Sequence, residues 1–167
     1  YCFVAGGPYY FIESLGTMPS VYGVIAALAM SGFLTGSFAA RSAIPRWGSA
    51  KVIHVSLALM FFPPLVLTGL ALAGWLPVAL IVALQFVFWF GGGFLAPNTA
   101  AGVMMSHPKA AGAAAAVLGF VQMCAAAAVS LAQGLIYDGT LYPVIGMQVV
   151  LGLAAWLIWK RLRRYTP

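Results

Sequence analysis

"APNTAAGVMMSHPKAAGAAAA" (residues 96–116) collects an Asn, a Thr, a Ser, a His, a Lys and two prolines between Ala- and Gly-rich runs. On each side the chain is apolar for about the 20 residues that a helix needs to cross a bilayer. A polar island of this kind reads as a turn outside lipid that joins two spanning helices. The rest of the chain repeats the arrangement.

The whole sequence of 167 residues is 63% hydrophobic and 6% charged, with a mean hydropathy of +1.02. Soluble domains carry about 25% charged residues, and this chain has too few polar residues to cover a soluble exterior. An all-α polytopic membrane bundle spanning residues 1–167 is the expected class. The net charge of +6 does not point to nucleic acid, because the basic residues are scattered at the ends of apolar blocks and form no stripe interleaved with aromatics. Cys2 and Cys124 both lie inside apolar segments and read as packed thiols, with no CxxC spacing for a metal.

Apolar periodicity and punctuation predict helices over residues 21–43, 52–73, 78–103, 113–137 and 143–160. Residues 1–15 form a partial helix, too short to span, which reads as the outer half of one whose beginning lies outside this sequence. "SLGTMPSVYG", "GWLP" and "DGTLYPVIG" place Gly where one helix stops and Pro where the next starts. Alternating directions then put every Lys and Arg on one side: Arg41, Arg46 and Lys51, then Lys109, then Lys160, Arg161, Arg163 and Arg164. Glu13 and Asp138 fall on the other. Basic loops mark the cytoplasmic face, so the C-terminus is expected there, with Arg41, Arg46 and Lys109 as anchors.

Polar groups at membrane depth are costly unless paired or facing water, and here they are uneven. Gln85, Gly92 and Thr99 share one helical face at about 100° per residue, with Phe88 and Trp89 close by. Gln122 and Gln133 lie about three turns apart on the fifth block. Ser31 and Thr35 sit beside Gly32 and Gly36, a small-xxx-small pair that permits close helix approach. The third and sixth blocks have little at mid-depth and read as the lipid-facing pair. Tyr9, Gln85, Phe88, Trp89, Gln122 and Met123 are therefore the candidate cavity residues, although interhelical hydrogen bonding alone would also explain the amides. "FGGGFLAP" brings Gly91, Gly92, Gly93 and Pro97 together, and is expected to bend or break its helix at a site that moves.

No HExxH, GxSxG, GxxxxGK[ST] or GxGxxG pattern occurs and no carboxylate pair exists for acid–base work, so an enzyme and a bound metal are not expected. His54 and His107 read as surface or capping residues. Glu13 stands either in an outward-facing vestibule or in plain interfacial solvent.

"AGGPYYFIESLGTMPSVYG" (Ala5–Gly23), "GSFAARSAIPRWG" (Gly36–Gly48) and "GGGFLAPNTAAGVMMSHPKAAGAAAAVLGFVQM" (Gly91–Met123) resemble the C-terminal half of the major facilitator superfamily. More narrowly, they resemble its Bcr/CflA-type drug:proton antiporters. That resemblance implies transmembrane helices seven to twelve of a twelve-helix transporter in a bacterial inner membrane, partnered by an N-terminal six-helix half. It implies a small amphipathic or cationic substrate, alternating access, and a proton gradient in place of any cofactor. Asn98 and Thr99 would close the cytoplasmic side of the cavity or cap a helix end. The proton-coupling carboxylate would lie in the other half, since no acid sits at mid-membrane here. A transporter of another small metabolite and a non-transporting membrane subunit or degenerate half-protein are the alternatives.

Overall fold

The computed structural model describes residues 2–106 and 108–162. Tyr1, His107 and the basic residues Arg163 and Arg164 lie outside the described residues. Helix α1 (Cys2–Pro8) passes into a π-helical turn, Tyr9–Ser14. It is followed by α2 (Pro19–Trp47), α3 (Ser49–Leu72), α4 (Val78–Ser106), α5 (Ala111–Ile136) and α6 (Tyr142–Leu162). A single 3-10 turn, Pro108–Ala110, leads into α5. Among the described residues there is no strand. Helices α2 to α6 are each long and apolar enough to cross a membrane, as in an integral membrane protein.

The helices end where glycine allows it. Gly48 alone separates α2 from α3, at φ +77°, a backbone that a side chain would strain. Its N–H bonds the Ile44 carbonyl at 3.0 Å, so one residue closes α2 and reverses the chain. Helix α2 runs to Trp47, a full turn beyond the expected limit at 43. Hydropathy marks the lipid-immersed part of a helix, while the helix itself continues into the interface, where Arg46 can be solvated.

Helix α4 is the centre of the bundle, with α2 along one side and α3 along the other. The α2–α4 crossing is backbone against backbone. A Cβ on Gly32 would run into the Phe86 carbonyl, one on Gly36 into the Phe90 carbonyl, and one on Gly93 into the Phe33 carbonyl. On the α3 side, a Cβ on Gly91 would sit 2.8 Å from the Leu59 Cβ. Gly92 faces open space by comparison, 3.9 Å from the Phe33 ring.

The expected break at "FGGGFLAP" does not occur. Helix α4 is continuous from Val78 to Ser106 with Pro97 inside it. Proline removes the N–H that would bond the carbonyl four residues back, which here is that of Gly93. Ser37 of α2 supplies part of the replacement: its one hydroxyl proton is shared between its own Phe33 carbonyl at 2.8 Å and the Gly93 carbonyl at 3.2 Å. A neighbouring Ser that re-satisfies a freed carbonyl lets a membrane helix carry proline without breaking. The glycines pack the crossing.

Helix α6 lies on α3 and α1, and its buried residues Val144, Ile145 and Gln148 correct the expectation of a lipid-facing helix with little at depth. Phe3, Phe11, Leu67 and Ile81 complete the core at the end away from the basic loops. Helix α5 is the outlier. It leans lightly on α4 and α1, with only Ala126 and Gln133 buried. Cys2 is buried as expected, but Cys124, on α5, is exposed.

Candidate functional site

The six candidate cavity residues do not converge on one pocket. Tyr9 is exposed at the end of α1, its ring 5.2 Å from that of Tyr137. Nearby, the Ser14 hydroxyl donates to the Gly139 carbonyl at 2.5 Å, tying α1 to the α5–α6 loop. In that loop Asp138 accepts both the backbone N–H and the hydroxyl of Thr140. The Thr140 hydroxyl, with the backbone N–H second, holds the Asp138 carboxyl below its ordinary range. Glu13 is exposed at the same end.

Gln85 takes the interhelical alternative. It is 1% exposed and pairs with Gln148 of α6. Its amide N–H donates to the Gln148 carbonyl oxygen at 3.0 Å, and Gln148 returns the bond at 3.3 Å. Two buried amides that bond each other in both directions form an interhelical clamp. Asn98 is likewise spoken for. Its side-chain N–H donates to the Ser49 carbonyl at 3.0 Å, while the Ser49 hydroxyl donates to its oxygen at 2.5 Å. This clasp ties α4 to the first residue of α3 at the basic end. Asn98 thus bonds the neighbouring helix and not the end of its own. Thr99, one position on, is exposed and bonds back to its own helix at Ala96.

Phe88 and Trp89 lie half-buried on α4. Trp89 meets Phe33 of α2 edge to face, with centroids 6.3 Å apart. Its indole N–H is buried and finds no acceptor among the described residues. Gln133 of α5 is 1% exposed, and both of its amide atoms lack a partner among the described residues. Its amide nitrogen lies 3.3 Å from where a Cβ on Gly6 would be.

Gln122 lies on the same stripe of α5 as Ala126 and Gln133, yet it is exposed while those two are buried. The inner face of α5 therefore opens midway along the helix. Met123 beside it is 55% exposed. Gln122 and Met123 are thus open on α5, while Trp89 of α4 is half-buried against Phe33.

At the basic end Arg41 stacks over its neighbour Phe38, 5.0 Å from the ring centroid. Arg46 and Lys109 are exposed. His54 is not a lone surface residue: its Nδ1 lies 2.9 Å from the Ala50 carbonyl, and the Trp159 indole N–H donates to its Nε2 at 3.3 Å, joining α3 to α6. No cluster of three metal-ligating side chains exists among the described residues.

Three residues that shape the bundle escaped the sequence reading: Gln148, Ser37 and Ser49. Each left a signal. Gln148 is the lone amide of an apolar block, and a proline at depth requires a foreign donor such as Ser37. Ser49 follows the glycine that starts α3. No known protein family, curated protein or solved structure matches the chain.

Proposed function

We propose that this chain is the C-terminal six-helix half of a major facilitator-type membrane transporter. In this reading it exports small amphipathic compounds by alternating access, driven by a proton gradient, from the inner membrane of a bacterium. The carrying observation is the exposure of Gln122 on a stripe of α5 that is otherwise turned inward. A lipid-facing helix has no use for an amide at mid-depth. The half-buried Trp89 ring beside Phe33 adds an aromatic wall with a buried indole N–H that no described residue meets, and aromatic walls with a few polar anchors are the composition of sites for apolar ligands. The resemblance of Gly91–Met123 supports the same assignment. Glu13 and Asp138, the two acids of this sequence, lie at the end opposite the basic loops, so on this reading neither is placed to couple protons at mid-membrane.

Everted vesicles carrying the native polypeptide test this with a fluorescent amphipathic cation. Trp89→Phe and Gln122→Leu should each lower proton-driven uptake about tenfold, the effect of losing one ligand hydrogen bond of roughly 1.4 kcal/mol. Unchanged uptake in correctly inserted variants would refute the site. A second reading, a non-transporting membrane subunit, draws on the Gln85–Gln148 and Asn98–Ser49 pairs, which are satisfied inside the bundle. On that reading no cation accumulates in any variant.

A further inference from the structure

The basic end has cations and no carboxylate. Arg41, Arg46, Lys51, Lys109, Lys160 and Arg161 belong to it among the described residues, while both acids of the chain lie at the opposite end. No described residue forms an ion pair with Arg46 or Lys51. The described residues of this end thus supply no counter-ion to these cations.

The same end holds an apolar wedge. Helices α2 and α3 leave the turn at Gly48 and keep to separate sides of α4, opening a space of about 350 Å³ between them. Phe90 and Phe94 of α4 line it, stacked at 5.9 Å between centroids. Ala39 and Ala43 keep the α2 wall low, and Val55 faces them from α3. Arg46 and Trp47 stand at the interfacial end, with Trp47 edge-on to Phe94 at 6.3 Å.

We propose that this wedge binds an anionic phospholipid, with an acyl chain against Phe90 and Phe94 and the phosphate on the Arg46 guanidinium. A free phosphate would leave the aromatic lining uncovered. A zwitterionic lipid would bring its own cation to a site already rich in positive charge. Basic pockets between helices at an anionic leaflet are where such head groups settle, and an interfacial Trp fixes the depth. The inference is independent of whether the chain transports anything.

Native mass spectrometry of the full chain, released from detergent with phosphatidylglycerol or phosphatidylcholine, tests it. Phosphatidylglycerol should be retained about fivefold better, the equivalent of roughly 1 kcal/mol from one interfacial arginine. Arg46→Gln should remove that preference. Ser42→Trp, which fills the wedge, should remove retention of both lipids. Arg41→Gln, whose side chain lies over Phe38 and outside the wedge, should change little. Arg46 is exposed, so its variant folds and carries the test even if Ser42→Trp does not. Equal retention of the two lipids would overturn the proposal, as would equal losses in Arg41→Gln and Arg46→Gln. Displacement of the lipid by water-soluble glycerol phosphate would overturn it too, since that marks a simple anion site.

Discussion

Helix α4 meets α2 and α5 in opposite ways. Against α2 it presents glycines, and the two backbones touch with Ser37 closing the gap that Pro97 leaves in the ladder. Against α5 there is little contact, and the inner stripe of α5 is exposed at Gln122. One helix is thus packed closely on one neighbour and loosely on another. Close packing without a hydrophobic drive relies on small residues in membranes, so glycine content marks the part that holds still.

The most severe way to break the contrast is to thicken the tight side. Gly93→Val should cost about 3 kcal/mol, at the upper end for overpacking, in reversible unfolding in mixed micelles. Gly119→Ala on α5, where a Cβ meets nothing within 4 Å, should stay within about 0.5 kcal/mol. Next in size, Gln85→Leu should cost about 1–2 kcal/mol by leaving the Gln148 amide buried and unpaired. The double change Gln85→Leu with Gln148→Leu should recover most of that loss. A double variant as unstable as the sum of the singles would contradict the clamp.

A third comparison isolates the proline. Ser37→Ala should cost about 1 kcal/mol in the native sequence and much less beside Pro97→Ala, since the helix then supplies its own donor to the Gly93 carbonyl. The smallest effect belongs to the outer loop. The Asp138 carboxyl is held low by Thr140, so its contribution is present above the unfolded carboxylate range, about 3.9. It is lost as pH falls through the lowered folded value. A small melting difference between wild type and Asp138→Asn should exist at neutral pH and fade on acidification.

The spanning blocks and their turns were legible because lipid length and Gly–Pro punctuation act within one segment. Partners were not. Helical periodicity put Gln85, Gly92 and Thr99 on one face of α4 but could not say that α6 would cover the first and leave the last exposed. Pro97 looked like a break because its remedy, Ser37, stands 56 positions earlier and becomes a neighbour only through the Gly32–Gly36 approach. Gln122 and Gln133 read as one stripe, as they are. That one end of it is buried and the other open depends on where α1 and α4 diverge from α5, which no local pattern encodes.

The sharpest measurement is labelling by a membrane-impermeant maleimide in native vesicles. It compares Gln122→Cys, in a Cys124→Ser background, with the native Cys124 about 200° further round the same helix. A water-filled site on the inner stripe predicts rapid labelling at position 122, slowed by an amphipathic cation, and little at Cys124. Equal labelling of both positions, or of neither, would contradict it.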